Sequence, residues 1–569
     1  MVNGLSLRGA GAVACALAMV WACSSGSQKR KVQTPYTGDA GAAGSAGFAG
    51  ESSAGAGDTG GSSGSAPIGG AAGDLPNGDA GAGGTGADAG AAPSGGSGGG
   101  TVISFHGLYV GTAGLDTNGG SHDAPFLTLA HALSVAMPGD TVVLLDGTYP
   151  AQVSVMVPDG VNVMAEHTGL AKLGCQFGAI FTFKGTSKLD GLELDNCAQP
   201  VVATTAGKLD MVNLLIVNGG AETGAIHLGG TVVASFTGDA DHVYTQSGRS
   251  VIFVEGSASL TVTGGTFKNV NTDAFSGNGM IRTAGSAKLV VKDVTIVDVQ
   301  QTALSGAGTS EITVDHTTMD MLSQNVVLLR DTAKLTVMNQ SRLAIKPLAP
   351  SHYEVLRSEG TGSITLSDTE VTGGSAGING SLPALTLTNC KVHDNDGLGI
   401  DMANATVPSA TVTISSSEFS SNGALSMQIH GAMRLTATLL TVKFRGNTIK
   451  NNGGIYADYG VNVAGGLGSS YDFGTLADPG LNTFLVNSGA PNGNGGAALT
   501  IQSPAALTIP AVGNTWTPNL QGAGTDGKYV TPGGSAKVLE LTGPQGTNAT
   551  GLKNYTLATT DVIRLAQDP

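Results

Sequence analysis

Apolar or small side chains recur along much of the chain with one fixed spacing, from about Ser187 onward. Each repeat places them at a start position and then two, five and seven residues later. Two alternating strands joined by a one-residue bend would turn all four side chains to the same side, whereas no helix produces this spacing. The repeats are Leu209, Met211, Leu214, Ile216; Leu260, Val262, Gly265, Phe267; Leu289, Val291, Val294, Ile296; Ile312, Val314, Thr317, Met319; Ile364, Leu366, Thr369, Val371; Leu385, Leu387, Cys390, Val392; Val412, Ile414, Ser417, Phe419; and Val442, Phe444, Asn447, Ile449.

The repeat starts lie about 21 to 30 residues apart, allowing one irregular coil near Leu335 and a poorly defined one near Val233. A period of this size is typical of a solenoid, in which each turn of the chain stacks on the previous one. The fixed leucine frame of leucine-rich repeats is absent from the sequence. We therefore predict an all-β fold, a right-handed parallel β-helix of about 14 coils with strands about 4.8 Å apart.

The first coil of such a solenoid would expose unpaired strand edges unless another element covered it. Residues 128–136 predict a short N-terminal capping helix. Thr128 is a suitable N-cap, Leu129 and Leu133 lie one helical turn apart, and Pro138-Gly139 ends the segment. Asparagines that follow strand pairs predict partial ladders of side-chain amides at the turns. They are Asn218, Asn269, Asn395, Asn422 and Asn451.

Composition divides the 569-residue chain into segments. Only 12% of the residues are charged, 89 are glycine, and the net charge of −15 leaves no basic surplus for nucleic acid. From Ser24 to about Gly100 the chain is mostly Gly, Ala and Ser, which cannot bury enough apolar surface to fold. We predict a signal peptide at 1–22, a disordered linker at 23–100, the cap and first coil at 101–150, a β-helix at 151–520 and a C-terminal extension at 521–569.

The N-terminus predicts export. Arg8 precedes an apolar stretch at 10–20, which is too short for a permanent membrane-spanning helix. The sequence Val20-Trp21-Ala22-Cys23 resembles the bacterial lipobox, which implies a lipid on Cys23 and a membrane anchor. Trp21 is bulkier than the residue usual at that position, so secretion without lipid is the alternative. Because no Asp follows Cys23, the outer membrane or cell surface is favoured as the destination.

Motifs at both ends of the folded part carry a family resemblance. The opening motifs are Leu108-Tyr109-Val110, Gly114-Leu115-Asp116-Thr117-Asn118-Gly119-Gly120, Ala124-Pro125-Phe126-Leu127-Thr128-Leu129, Ala132-Leu133, Pro138-Gly139-Asp140-Thr141-Val142 and Asp146-Gly147-Thr148-Tyr149. The closing motifs are Asp472-Phe473-Gly474, Pro479-Gly480-Leu481-Asn482-Thr483-Phe484 and Gly513-Asn514-Thr515-Trp516. Together they resemble the DUF1565 family of the pectate-lyase-like right-handed β-helix group, over roughly residues 105–520. The resemblance implies the fold and leaves the chemistry open, because lyases and proteins of unknown role share it.

A glycoside hydrolase with this fold needs an Asn-Thr-Asp segment, an Asp-Asp pair and a Gly-His-Gly. The chain has Asn271-Thr272-Asp273, but no Asp-Asp pair follows and His430 lies between Ile429 and Gly431. Hydrolase activity is therefore not expected.

A polysaccharide lyase would need clustered carboxylates for Ca²⁺ and a basic residue near the α-proton of a uronate. The repeat register places Glu370, Lys391 and Glu418 in the same outward position of three successive coils, which puts a base between two carboxylates. An exposed ladder of alternating charges has the same pattern and contributes little to stability. The ladder is the favoured interpretation.

Carboxylates that could bind Ca²⁺ follow the same strand pair. Asp394 and Asp396 lie beside His393 on a turn, and Asp401 lies one strand later. Aspartate is also an ordinary turn residue, because its side chain accepts local backbone hydrogen bonds, and this explanation is favoured. Asp239, Asp241 and His242 form a weaker candidate of the same kind.

The remaining candidate residues are tyrosines that could bind sugar and cysteines that could form a disulfide. Tyr456, Tyr459 and Tyr471 could stack on sugar rings, although packing is the favoured role. Cys175 and Cys197 lie 22 residues apart, close to one coil, so stacking could bring them within disulfide range. Cys390 occupies an inward position, which predicts an inert buried thiol.

Two classes of function are compatible with the sequence. The leading hypothesis is an envelope-displayed lipoprotein whose β-helix is a binding or structural module, with carbohydrate or an envelope polymer as the ligand and no cofactor. The alternative is a Ca²⁺-dependent lyase of acidic polysaccharide that uses Lys391 as its base. The sequence identifies neither the ligand nor the oligomeric state.

Overall fold

A computed structural model describes most of the chain from residue 107 to residue 564, within the unit Gly99–Pro569. Residues 1–106 and 565–569 lie outside the described part, and so do the predicted signal peptide, the linker and Cys23. The other residues that are not described are 153, 176–179, 196, 198, 218–223, 242–243, 246–249, 273–278, 323, 347–352, 403–406, 424–430, 453–458, 476, 486–496, 503–507, 511–512, 518–527, 531–536, 543–555 and 559–561.

Three ladders of parallel strands wind around one core. The first ladder contains Gly107–Val110, Thr141–Leu144, Asn162–Ala165, Ser187–Asp190, the start of Lys208–Val217, the start of Val233–Asp241, Ser259–Thr263, Lys288–Lys292, Glu311–Asp315, Lys334–Met338, Ser363–Ser367, Ala384–Thr388, Ser409–Ser415, Leu439–Arg445 and Ser470–Asp472. The second ladder contains Gly147–Gln152, Ala171–Cys175, Leu192–Asp195, the ends of Lys208–Val217 and Val233–Asp241, Thr266–Lys268, Thr295–Val299, Thr318–Met321, Arg342–Ile345, Glu370–Thr372, Lys391–His393, Glu418–Ser420, Thr448–Lys450, Thr483–Leu485 and Thr515–Thr517.

The third ladder belongs to a separate 16-stranded sheet. It contains Val155–Val157, Phe181–Phe183, Val201–Ala203, Ile226–Leu228, Ile252–Val254, Ile281–Thr283, Leu304–Gly306, Val327–Leu329, Leu356–Ser358, Ile378–Gly380, Ile400–Met402, Gly431–Ala437, Tyr459–Gly465, Ala497–Gln502 and Lys537–Thr542, with Lys528–Val530 added antiparallel at its end. Two small sheets complete the strands: Tyr244–Thr245 with Asn271–Thr272, and Thr508–Pro510 with Thr556–Ala558 and Val562–Arg564. The number of stacked strands agrees roughly with the predicted 14 coils, and the third ladder continues beyond the predicted boundary at 520.

The predicted inward positions form the core. All the residues of the eight repeats are buried except Gly265, which is exposed. The buried side chains make one cluster that extends from Val110 to Phe484. The irregular coil at Leu335 contains one extra residue at the bend, because its inward residues include Ser341 and Leu343. The fold therefore follows from the repeat spacing, as predicted.

The bend between the first and second ladders is a single residue in the left-handed region. Asp368, Asn389 and Ser416 have φ values of 48°, 54° and 51° at this position in three successive coils. Asn and Asp adopt this conformation more readily than other non-glycine residues. The one-residue bend reverses the alternation of side chains, which explains the five-residue offset in the repeat.

Buried asparagines form two ladders of side-chain amides. Asn395 Nδ2 donates to Asn422 Oδ1 at 2.8 Å, and Asn422 Nδ2 donates to Asn452 Oδ1 at 2.8 Å. The ladder prediction is therefore confirmed for Asn395 and Asn422. Its third member is Asn452; the predicted Asn451 is exposed with positive φ.

The second amide ladder was not predicted as such. It joins Asn447, Asn482 and Asn514 through Nδ2 to Oδ1 hydrogen bonds of 3.0 and 2.8 Å. Asn269 belongs to neither ladder, because its amide donates to Asp241 at 2.8 Å. Asn218 lies outside the described residues.

The capping helix Leu129–Val135 is confirmed. The Thr128 hydroxyl accepts a hydrogen bond from the His131 backbone N–H at 3.1 Å, as an N-cap does. Leu129 and Leu133 are buried, so the helix covers the start of the core. Within the described part, no helix is long and apolar enough to cross a bilayer.

Candidate functional site

A groove of about 460 Å³ lies at the bend between the first and second ladders, and we call it the corner groove. Its walls come from equivalent positions of successive coils, so the same kinds of side chain recur along it. Most of its lining residues carry a hydroxyl, amide or charged group. It is lined by Gln340, Ser341, Asp368, Thr369, Glu370, Asn389, Cys390, Lys391, Ser416, Ser417, Glu418, Gly446 and Thr448.

The predicted charge row lies in this groove. Glu370 is opposite Lys391, and Lys391 is opposite Glu418, in adjacent strands of the second ladder. The predicted register is therefore confirmed, although the catalytic role stays a prediction. Alternation within each strand turns Val371, Val392 and Phe419 into the core and leaves the charged residues outside.

Each glutamate of the row is bound by neighbours that the sequence did not identify. Glu370 accepts from His393 Nε2 at 3.0 Å and forms an ion pair with Arg342 at 3.8 Å. Glu418 forms an ion pair with Lys450 at 3.1 Å and accepts from the Ser420 hydroxyl at 2.9 Å. The strand register explains two of these contacts. Arg342 is directly opposite Glu370, and Lys450 is opposite Ser420, two residues after Glu418.

These contacts set the protonation of Glu418. Burial alone would raise the pKa of its carboxyl, but hydrogen bonds from Lys450 and Ser420 outweigh burial and hold the pKa below its ordinary value. The attraction of Lys391 acts in the same direction. Glu418 is therefore an anion at neutral pH and is not suited to donate a proton there.

Lys391 differs from the other cations of the second ladder. It is exposed, and within the described part of the chain its ammonium forms no ion pair, whereas Arg342 and Lys450 are paired with the flanking glutamates. Its ammonium is therefore available to a ligand in the groove.

The floor of the groove consists of small buried side chains. Ser341, Thr369, Cys390 and Ser417 occupy the first inward position after the bend in successive coils. Cys390 is a free thiol, and burial raises its pKa, which agrees with the predicted inert role. At the rim, the Asn389 amide donates to the Asp368 carboxylate.

Two family models match the sequence. Residues 112–190 match the family described as "Protein of unknown function (DUF1565)", and residues 350–470 match the "Right handed beta helix region". The chain folds as a right-handed parallel β-helix, and its residues 112–190 are similar to the DUF1565 family. The second match contains most of the corner groove of the β-helix, and the first contains the capping helix.

Solved β-helix structures resemble this β-helix weakly. Pectate lyase Pel9A shares 13% identity and a TM-score of 0.25, with 69% of this chain and 83% of that chain covered. The mannuronan C-5 epimerase AlgE6 A-module of Azotobacter vinelandii shares 14% identity and a TM-score of 0.27, with coverages of 68% and 90%. Among curated proteins, no sequence matches the chain. The activities in these names are not carried over.

The β-helix does not bring the predicted calcium ligands together. Asp401 lies in the third ladder, where Arg434 donates to both of its carboxylate oxygens at 3.0 and 2.8 Å. Asp394 is exposed and accepts from His393 Nδ1 at 2.7 Å, while Asp396 lies half-buried on the following turn. Among the side chains placed in the structure, these three aspartates form no group with converging oxygens. They therefore do not fit a Ca²⁺ site in this arrangement.

The remaining candidates have structural roles where they are described. Asp239 accepts from the Thr266 backbone N–H at 2.6 Å, and Asp241 pairs with Lys268 at 3.1 Å. Tyr471 is buried, so it packs in the core and is no sugar platform. The other members of these sets, His242, Tyr456 and the side chain of Tyr459, lie outside the described residues, as does Asp273.

Cys197 of the β-helix is disulfide-bonded. The side chain of Cys175 lies outside the described residues, so the bridge between Cys175 and Cys197 stays a prediction.

Proposed function

We propose that the corner groove binds a carbohydrate polymer and that the β-helix is a binding module displayed at a bacterial envelope. The observation that carries the proposal is a concave surface on which polar side chains repeat in register from coil to coil. Strand stacking spaces equivalent groups by about 4.8 Å. An extended polymer lying across the coils would meet the same chemistry repeatedly.

The groove offers the groups that sugar hydroxyls need. Asn389 and Gln340 supply amides, Ser416 and Thr448 supply hydroxyls, and Asp368 supplies a carboxylate. Amides and hydroxyls both donate and accept hydrogen bonds, whereas ionised carboxylates only accept. Sites that recognise hydroxyl-rich ligands use such mixed groups to fix orientation.

Lys391 gives the groove a preference among polymers. An ammonium that is exposed and unpaired within the described part of the chain can bind a ligand carboxylate without breaking an internal ion pair. Charge-assisted hydrogen bonds of this kind are stronger than neutral ones. We therefore propose an acidic polysaccharide as the preferred ligand class, with neutral polymers bound more weakly.

The lyase alternative has less support. The flanking glutamates are engaged by Arg342, His393 and Lys450, and Asp401 is engaged by Arg434. Within the described part of the chain, the residues around Lys391 do not form a carboxylate cluster suited to Ca²⁺. Binding without cleavage is the function that the groove geometry favours.

Binding of oligosaccharides to the purified full-length protein tests this proposal. Fragments of acidic polysaccharides should bind, and Lys391→Ala should weaken their binding roughly tenfold, as expected for the loss of one charged hydrogen bond. The matched control is Lys334→Ala, because Lys334 is an exposed cation of the first ladder and is paired with Glu311. Equal affinities of wild type and Lys391→Ala would overturn the assignment. New ultraviolet absorption from unsaturated products would favour the lyase instead.

We also propose that a lipid on Cys23 anchors the protein in the envelope, most simply in the outer membrane. The support is the lipobox-like sequence Val20-Trp21-Ala22-Cys23 and the Gly/Ala/Ser-rich segment that follows it. Mass spectrometry of the N-terminal peptide should find a diacylglyceryl group on Cys23. Cys23→Ser should release the protein from the membrane fraction. A mature wild-type protein whose first residue is not Cys23 and that carries no lipid would contradict this proposal.

A further inference from the structure

Side chains capable of binding a metal converge at the N-terminal end of the first ladder. Asp146 follows the strand Thr141–Leu144, and Glu166 and His167 follow the next strand of the ladder, Asn162–Ala165. Leu144 is opposite Ala165 in the parallel register. The three side chains therefore leave the same edge of two stacked coils.

The potential ligand atoms are close to one another. His167 Nδ1 lies 3.1 Å from each carboxylate oxygen of Asp146 and 3.9 Å from Glu166 Oε2. One ligand atom from each of the three residues lies within 4.8 Å of the other two. His122 lies beside this group and contacts one member, since its Nε2 lies 3.0 Å from Glu166 Oε1, but it does not belong to the three residues whose ligand atoms converge.

These distances are close to those of a tetrahedral zinc site. Zn²⁺ binds imidazole nitrogen and carboxylate oxygen at about 2.0 to 2.2 Å, so neighbouring ligand atoms in a tetrahedron lie about 3.4 Å apart. The observed distances from His167 Nδ1, 3.1 Å to Asp146 and 3.9 Å to Glu166, lie on both sides of that value. Small side-chain rotations would complete the coordination, and the exposed positions of Asp146 and His167 leave room for them.

The backbone holds two of these residues in place. The Glu166 backbone N–H donates to the Leu144 carbonyl at 2.8 Å, and the Leu145 N–H donates to the Val110 carbonyl at 2.9 Å. Beneath them, the Tyr149 hydroxyl lies within hydrogen-bond distance of two carbonyls, 2.8 Å from that of Val110 and 2.7 Å from that of Leu145. Side chains mounted on hydrogen-bonded coils keep their relative positions better than side chains on free loops.

The local charge favours a cation. Burial, reinforced by the charges of Asp146 and Glu166, raises the pKa of Tyr149 to about 12. Asp123 adds a third carboxylate, 3.4 Å from His122 Nδ1. A mixed imidazole and carboxylate set suits Zn²⁺ and its neighbours in the transition series, whereas Ca²⁺ prefers oxygen ligands alone.

We infer that Asp146, Glu166 and His167 bind one divalent transition-metal ion of the Zn²⁺ class. The site is separate in the chain from the corner groove, which is formed by residues 340–448. Its role is to fasten together the two stacked coils that carry Asp146 and Glu166. The inference is independent of the proposed carbohydrate binding.

Another histidine pair provides an internal control. His316 Nδ1 lies 2.7 Å from Asp293 Oδ1, and both residues are exposed at the bend of stacked coils. Within the described part of the chain, no third ligand joins this pair. It therefore reproduces one contact of the proposed site without the converging ligands.

Calorimetric titration of untagged full-length protein with Zn²⁺ tests the inference. We expect one equivalent to bind, an excess of Ca²⁺ not to compete, and Co²⁺ to give the visible absorption of a tetrahedral centre. His167→Ala and Asp146→Asn should each weaken Zn²⁺ binding at least tenfold, with unchanged far-ultraviolet circular dichroism. His316→Ala should bind Zn²⁺ like wild type.

Several results would overturn the inference. They are the absence of Zn²⁺ binding at micromolar concentrations, equal binding by wild type and both site variants, and loss of binding in His316→Ala. Effective competition by Ca²⁺ would also reject a transition-metal site, because it would indicate oxygen ligands alone.

Discussion

The bend between the first and second ladders is built differently in two regions of the β-helix. Around the corner groove its inward residues are Ser341, Thr369, Cys390 and Ser417, and beyond the groove they are Asn447, Asn482 and Asn514. The hydroxyls of Thr369 and Ser417 donate within their own coil, to carbonyls two residues earlier. The asparagine amides instead donate to other coils.

The donors of the two kinds of side chain therefore stabilise different parts of the stack. Hydroxyl donors hold their own coil together, whereas asparagine amides hold neighbouring coils together. Asn447 Oδ1 accepts from the Ser417 N–H at 2.9 Å, and its Nδ2 donates to Ile414 and Asn482, so one side chain joins three coils. A hydroxyl offers a single donor, which here is used within one coil, so it joins neighbouring coils only as an acceptor, as Ser417 Oγ does from the Cys390 N–H at 3.0 Å. The coils of the groove therefore depend less on side-chain bonds between coils, and their outer surface carries the charged groups that we assign to ligand binding.

The largest expected effect is on the amide ladder. Asn482 is fully buried, accepts from the backbone N–H and Nδ2 of Asn447, and donates to Asn514. Asn482→Leu would leave several buried polar groups without partners, so the free energy of unfolding should fall by about 3 kcal/mol. Urea denaturation followed by circular dichroism measures this.

The control for that experiment is Asn379→Ala, because Asn379 is at an outward position of the third ladder and belongs to neither amide ladder. It should change the free energy of unfolding by less than about 0.5 kcal/mol. Similar losses in the free energy of unfolding for the two variants would show that a buried ladder asparagine stabilises the β-helix no more than an outward asparagine does.

A smaller effect is expected in the groove floor. Thr369→Val keeps the shape of the side chain but removes the hydroxyl that donates to the Ser367 carbonyl at 2.8 Å. The expected loss is about 1 kcal/mol, the usual net contribution of one hydrogen bond. Thr365→Val, at an exposed position of the first ladder, should have almost no effect. A loss as large as that of Asn482→Leu would contradict the proposed difference between the two regions.

The smallest expected effect is the pH dependence of stability that ionised Glu418 causes. Burial opposes ionisation of Glu418, but Lys450 and Ser420 hold its pKa below the ordinary 4.5. Because the folded pKa is the lower one, this contribution to stability is present above pH 4.5 and is lost as pH falls through the folded value. Its size is below about 1 kcal/mol, since the side chain is partly exposed. Glu418→Gln should therefore destabilise the protein slightly at pH 7 and less at pH 3; an equal loss at both would contradict the ion-pair explanation.

The sequence predicts the core better than the surface. Spacing alone identified Leu289, Val291, Val294 and Ile296 as inward, because alternation and a one-residue bend determine which side chains face the core. The same rule misplaced Gly265, which lies exposed beside a second positive-φ glycine. Asn452 and not Asn451 occupies the ladder position, because Asn452 follows the inward Ile449 by three residues, as Asn395 follows Val392 and Asn422 follows Phe419.

The candidate site was predictable only where the strand register determines it. Glu370, Lys391 and Glu418 align because their strands pair directly. Arg434 is likewise directly opposite Asp401, but it lies 33 residues later, and the length of the connection between the two strands cannot be read from the repeat spacing. Spacing gives the direction of a side chain, but ion-pair partners also depend on the rotamers that long side chains adopt.

Photo-crosslinking tests the central claim, that the corner groove is the ligand-binding surface, most directly. An acidic oligosaccharide carrying a photoreactive group should label residues 368–372, 389–393 and 416–420, and excess unlabelled fragment should suppress the labelling. Labelling restricted to the third ladder, with these three segments unmodified, would contradict the claim.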